Sequence, residues 1–224
     1  MKELEIIYED KDVLVIRKPA GVPVQSARVG AKDCESLLKN YLYRKNPKGG
    51  APYLGLIHRL DQPVEGVLVF AKEKKSAAVL TKQLSAGTLN KQYYAVLCGY
   101  PDASEGELVD YLRKEGSVAV AVTGREMNFP DAKIAKLHYS ILEKINQPMP
   151  LALADVCIET GRFHQIRVQF ASRGFPLLGD GKYGSRDNRC TCALWSYRLS
   201  FPDGKGEAAF ESQPPAQFPW TVFF

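Results

Sequence analysis

Apolar positions along this chain fall in short runs cut apart by Gly, Pro and charged turns, so the periodicity of each run decides the element it predicts. Glu5 to Tyr8 and Val13 to Ile16 read as two strands joined by the charged turn Glu9-Asp10-Lys11-Asp12, and Lys18-Pro19-Ala20-Gly21 stops the second. From Cys34 to Lys45 the residues Leu37, Leu38, Tyr41 and Leu42 recur at helical spacing, and Asn46-Pro47-Lys48-Gly49-Gly50 ends that helix as a connector. Val67 to Ala71 is a buried-strand type of run that follows the loop Gln62-Pro63-Val64-Glu65-Gly66. Ser76 then caps a predicted helix whose apolar residues Ala77, Val79, Leu80 and Leu84 lead to Gly87 as a stop.

In the second half, Tyr93 to Leu97 reads as a strand, and the stretch from Tyr100 to Pro130 is rich in Gly, Pro and charge, with one strand expected at Val118 to Val122. Ala135 to Leu142 and Leu151 to Ile158 pair across the Asn146-Gln147-Pro148 turn. The latter is apolar on both alternating faces, as in a sheet covered on each side. Thr160-Gly161 turns the chain into a predicted helix from His164 to Ser172, terminated by Gly174. On it His164, Arg167 and Ala171 share one face while Ile166 and Phe170 share another, so Arg167 can face a cleft with the apolar pair buried. Leu194 to Phe201 is a late strand, and the Pro-rich tail from Pro214 packs as irregular chain or frays.

Composition narrows this picture only modestly. A length of 224 residues with an apolar fraction of 45% suffices for one large domain or two small ones. There is no long uncharged apolar run, and Met1-Lys2-Glu3-Leu4-Glu5 is too acidic to open a signal peptide, which points to a soluble cytoplasmic protein with no membrane partner. Cys34, Cys98, Cys157, Cys190 and Cys192 are scattered and odd in number, a pattern of reduced thiols. A net charge of +5 fits a polyanionic partner, although an excess of this size is common without one.

The candidate chemistry centres on Ile57-His58-Arg59-Leu60-Asp61, which sets a carboxylate on a loop just before a buried strand. Taken alone, that string describes a turn-capping aspartate equally well. It is followed, however, by Lys91-Gln92-Tyr93 and then by Gly161-Arg162-Phe163-His164-Gln165-Ile166-Arg167. In this order the segments resemble the RluA-type family of RNA pseudouridine synthases, in which HRLD carries the catalytic aspartate, K-x-Y a tyrosine and GR-x-HQ-[IL]-R an arginine. The resemblance extends over nearly the whole chain, through Ile7-Tyr8-Glu9-Asp10 and Lys18-Pro19-Ala20-Gly21 at the start and Leu178-Gly179-Asp180 to Tyr183-Gly184 later.

The resemblance implies an α+β fold. It would be a single catalytic domain over residues 1–224, built on a mixed, largely antiparallel sheet with flanking helices and a central cleft. The catalytic motifs begin so early that no small N-terminal S4-type RNA-binding domain is expected. The implied reaction breaks the C1′–N1 bond of uridine, turns the held base and joins C1′ to C5, a redox-neutral step needing no cofactor. Asp61 is the implied catalytic carboxylate, Arg167 the cation that keeps it ionised and oriented, and Tyr93 the face that receives the extruded base. His58, Arg59, Arg162 and His164 are the implied RNA-binding residues, in a monomer acting on ribosomal or transfer RNA. Tyr94, next to Tyr93 and on the opposite strand face, is expected in the core.

Two positions depart from the family pattern. Val64-Glu65 stands where many members have Thr-Ser before the loop glycine, and Phe163 where they have Thr before the histidine. The first removes hydroxyls and adds a negative charge close to Asp61 in sequence, so substrate choice and activity are where these changes bear. Asp61 with Glu65 also forms a carboxylate pair of the kind a glycoside or nucleoside hydrolase uses, and a non-catalytic RNA-binding module is a third reading. Cys190-Thr191-Cys192 lacks a second ligand pair, and His58, His138 and His164 share no ligand spacing, so no metal is expected.

Overall fold

A computed structural model describes residues 4–27, 30 and 32–224. In chain order the strands are β1 (Glu5–Glu9), β2 (Val13–Lys18), β3 (Gly55–Leu56), β4 (Glu65–Ala71), β5 (Asn90–Cys98), β6 (Glu105–Glu115), β7 (Val118–Val122), β8 (Lys133–Ile145), β9 (Leu151–Ile158), β10 (Leu194–Pro202) and β11 (Glu207–Glu211). The helices are α1 (Cys34–Lys45), α2 (Lys74–Ser85) and α3 (Gln165–Ala171). This is the α+β class expected from the sequence. No described helix is long and apolar enough to cross a membrane.

The chain divides into two compact units, the first comprising Met1–Asn90 and Ser196–Gln213. Its strands run in the order β1-β2-β4-β10, with β3 on β4 and β11 on β10. Pairing of β2 with β4 is antiparallel, with Val15 opposite Val69 and Arg17 opposite Val67. Val13, Val15, Val67, Val69 and Ala71 pack with Leu80 of α2 and with Leu199 and Phe201 of β10. The alternate residues Leu14, Ile16, Leu68 and Phe70 are also fully buried, so both faces of the central strands are covered and the runs read as continuous apolar sequence. α1 begins with a reciprocal cap: Asp33 Oδ1 accepts from Ser36 N at 2.7 Å, and Ser36 Oγ from Asp33 N at 3.2 Å.

The second unit comprises Lys91–Trp195 and Pro214–Phe224. There the order is β5-β9-β8-β6-β7, and the β5–β9, β8–β9, β6–β8 and β6–β7 pairings are antiparallel. α3 lies on one face of this sheet, with Val168 packed among Leu112, Ala119 and Ala135 and the Phe170 ring edge-on to Tyr139 at 5.4 Å. Gln169, fully buried, donates from Nε2 to Asp110 Oδ2 at 2.8 Å and ties the helix to β6.

Several expectations need correction. α2 starts at Lys74 with Glu73 as its N-cap residue; the Ser76 hydroxyl donates instead to Asp12 Oδ1 at 2.9 Å, a tertiary bond that outcompetes the local cap. The middle region contains the eleven-residue strand β6 as well as β7, because β6 buries only Leu108 and Leu112 and its charged alternation hides it. α3 is shorter than expected, since His164 adopts a left-handed φ of 55° and sits before the helix. Of the two readings of the tail, the packed one holds: Trp220 is buried, edge-on to Trp195 at 6.3 Å.

Candidate active-site residues

In the first unit, Asp61 opens a tight turn closed by Val64 N donating to Asp61 O at 3.0 Å, directly before β4. Beneath the turn runs the Lys18-Pro19-Ala20-Gly21 segment. Lys18 is wholly buried, and its ammonium donates to the carbonyls of Pro19 and Gln62 at 3.0 Å and of Val64 at 2.7 Å. Gly21 N and the Gln62 carbonyl, with Gln62 Nε2 and the Gly21 carbonyl, add two further bonds of 2.9 Å. Burial pushes the Lys18 ammonium down to about 8, partly offset by the Glu65 and Asp61 carboxylates, so it is still charged at neutral pH. The far end of the turn is fixed by Gly66, whose φ is +116° and whose added Cβ would stand 2.2 Å from the Ser196 carbonyl oxygen. On the same loop Arg59 is exposed while His58 is buried.

In the second unit the GR-x-HQ-I-R segment builds its own scaffold. Gln165 Oε1 accepts from Thr160 Oγ1 at 2.7 Å and from Arg162 N at 3.0 Å, and its Nε2 donates to the Lys136 carbonyl at 2.9 Å. This glutamine shapes the turn into α3. Arg162 is exposed, with Nε donating to the Ile134 carbonyl at 2.8 Å. Arg167 is only 3% exposed and is gripped by Asp180. Nε meets Oδ2 at 2.7 Å and Nη2 meets Oδ1 at 2.8 Å, the bidentate charge-assisted geometry that fixes a guanidinium plane. The Cys192 thiol also reaches Asp180 Oδ2, at 3.7 Å.

Tyr183 supports the same group from its face, with the Arg167 guanidinium 5.1 Å from the ring centroid. Its hydroxyl accepts from Ala119 N at 2.7 Å and stands 2.7 Å from His164 Nδ1. Phe163, the departure from the family pattern, stacks on His164 at 3.8 Å and carries the Lys114 ammonium over its ring at 5.0 Å. An aromatic layer therefore replaces the hydroxyl that many members have there.

Tyr93 lies on β5 opposite Val156 of β9 and is 4% exposed. Tyr94, expected in the core, is instead half-buried, its ring 5.3 Å from Phe224 at the anchored tail. Two residues before Tyr93, and on its face of the strand, Lys91 is also 4% exposed. Among the described residues one group could hold a metal ion: Glu107 of β6, His138 of β8 and Glu159 just after β9, all exposed, with His138 Nε2 2.7 Å from Glu159 Oε1. Sequence spacing could not reveal it.

The residues missed from sequence are Lys18, Lys91, Asp180 and Tyr183. All four sit inside the quoted family segments. The signals available were a lysine ending or opening an apolar strand and an acid within the Gly179-Asp180-Gly181 turn; neither gives a partner.

A model of the family described as RNA pseudouridylate synthase matches residues 12–172, a span containing Asp61, Tyr93 and Arg167. The chain belongs to that family. Ribosomal large subunit pseudouridine synthase D of Pseudomonas aeruginosa is 38% identical over 185 residues, covering 82% of this chain and 54% of its own. The RNA pseudouridine synthase YhcT of Bacillus subtilis is 35% identical over 182 residues, covering 81% of this chain and 58% of its own. The chain thus spans a little over half the length of these relatives. Human RNA pseudouridylate synthase domain containing 4 shares the fold of this synthase-family chain, with a TM-score of 0.78 at 22% identity over 97% of this chain and 90% of that one.

Proposed function

We propose that this family member converts uridine to pseudouridine in structured RNA, with ribosomal RNA as the substrate class. The family match over residues 12–172 carries the reading, and the names of the relatives most similar over four-fifths of the chain direct it to the large ribosomal subunit. In this reaction the C1′–N1 bond breaks, C1′ joins C5, the C5 proton leaves and N1 takes one up, so nothing is consumed and no cofactor is called for. Asp61 supplies the ionised carboxylate, as nucleophile or as base toward the sugar. Its turn is bonded to the Lys18 segment at four points, which is the preorganisation such a group needs. Arg167 supplies a cation held in one plane by Asp180, and Tyr93 the aromatic ring for the base. The exposed Arg59 and Arg162 contact RNA, with the buried His58 and His164 supporting the segments they precede.

Asp61→Asn tests the assignment, because it keeps size and hydrogen bonding but removes the charge. The variant is expected to fold and bind RNA while forming no pseudouridine, and the wild type to release no free uracil. Released base would favour the hydrolase reading, and absence of pseudouridine with either residue the binding module. Pseudouridine formation by Asp61→Asn at the wild-type rate would overturn the assignment.

A further inference from the structure

Two lysines among the described residues are more than nine-tenths buried, and their surroundings differ in kind. Lys18 is solvated by protein, with three carbonyl oxygens at 2.7–3.0 Å taking the place of water. Lys91 is 4% exposed, and among the described residues no carboxylate, carbonyl or hydroxyl accepts from its ammonium, whose tip is left to solvent. Burial pushes it down to about 8, and Cys157 is the single group that favours its charged form. Burial in turn holds the Cys157 thiol above its ordinary range, so at neutral pH it is uncharged and no counterion. A buried cation with neither ion partner nor acceptors lowers stability and is seldom retained for packing alone.

The position of this cation suggests what it serves. Alternation along β5 puts Lys91 on the face that carries Tyr93, two residues on. Across from it is Gly161, the first residue of the turn leading to Arg162 and α3; a Cβ added there would meet Lys91 Nζ at 3.5 Å and no other heavy atom within 4 Å. The ammonium thus lies between two family segments, on the side where Gly161 leaves it uncovered. RNA at neutral pH carries one kind of anion, the phosphodiester.

We propose that Lys91 is an RNA-binding residue, and that a phosphodiester oxygen beside the target uridine is the missing partner of its ammonium. This rests on the RNA-directed reading above. Binding would give a largely buried cation without a protein partner a charge-assisted hydrogen bond, so a group that costs desolvation in the free protein adds to affinity for RNA.

The experiment compares Lys91→Met with Lys18→Met and the wild type, using thermal melting and binding to a large-subunit ribosomal RNA transcript across a salt titration. Lys91→Met is expected to melt at or above the wild-type temperature, to bind RNA roughly tenfold more weakly, and to have a log–log salt slope shallower by about 0.7–0.9. Lys18→Met is expected to melt lower. An unchanged salt slope in Lys91→Met, even with weaker binding, would overturn the phosphodiester assignment and leave a neutral acceptor such as a base carbonyl. A melting temperature lowered as far as that of Lys18→Met would make Lys91 structural and overturn the proposal. A wild type that binds the transcript with no salt dependence would overturn the RNA-directed reading along with it.

Discussion

Lys18→Met removes the ammonium that bonds the Asp61 turn to the segment beneath it, and its effect can be worked from three distances. The bond to the Val64 carbonyl, at 2.7 Å, is buried, so the variant leaves an unsatisfied acceptor out of reach of water, worth about 1–3 kcal/mol. The Pro19 and Gln62 carbonyls, at 3.0 Å, are only partly buried and can recover a water, so each loses about 0.5–1 kcal/mol. Relief of burying an ammonium offsets part of this, and methionine fills a similar volume. A net loss of about 2–3 kcal/mol follows, which for a chain of this size lowers the melting temperature by roughly 4–12 °C. Activity should fall further than stability, because at a temperature where both proteins are folded the turn still lacks its floor and Asp61 is less well aimed. Melting followed by circular dichroism, paired with pseudouridine formation well below the variant's transition, reads both quantities. Wild-type melting together with the wild-type rate would refute the account of Lys18 as the support of the turn.

Two further perturbations probe the first unit. Gly66→Ala places a methyl 2.2 Å from the Ser196 carbonyl oxygen at a φ of +116°, so a loss of at least about 3 kcal/mol is expected, seen as insoluble protein or a non-cooperative melt; a soluble variant with the wild-type midpoint contradicts this. Glu9 accepts from Tyr41 Oη and Lys45 Nζ at 2.8 Å and from Lys72 Nζ at 2.9 Å; burial acts to raise its pKa, but these partners hold it down to about 2. Because the folded value lies below the unfolded one, the contribution is fully present above about 4.5 and is lost as the pH falls towards about 2. Glu9→Gln should therefore lose about 1–2 kcal/mol at pH 7 after allowance for solvent screening, with wild type and variant converging in acid; a gap independent of pH in urea titrations would show that the ion pairs are not its source.

What could be read from the residues in advance was set by how local the cause was. Val13 to Ile16 and Val67 to Ala71 declare themselves because both faces of those strands are covered, and α1 because its apolar residues Leu37, Leu38, Tyr41 and Leu42 are close in sequence. β6 did not, since only Leu108 and Leu112 of its eleven residues turn inward far enough to be buried. Ser76 looked like a cap and was drawn away by Asp12, which is 64 positions distant. At the candidate site the family segments marked Asp61, Tyr93 and Arg167, but charge alone says nothing of burial. Nothing in the residue pattern marks the lysines at positions 18 and 91 as buried, and the grip of Asp180 on Arg167 spans a loop whose conformation no residue pattern specifies.

The division of the chain also governs how it is made. The first unit needs Ser196–Gln213 to complete it, and β10 begins with residues of the second unit, Leu194 and Trp195, before continuing into the first. During synthesis, then, β4 is finished at Ala71 while its neighbour β10 is still unmade. At ordinary translation rates of about 5–20 residues per second, this wait lasts roughly 6–25 s. For that interval the apolar run Val67-Leu68-Val69-Phe70 presents an unpaired strand edge, the kind of surface that attracts chaperones or pairs with another nascent chain. Fragments ending near residue 90 should inherit that exposed edge permanently, so neither unit can be cut out as one continuous piece.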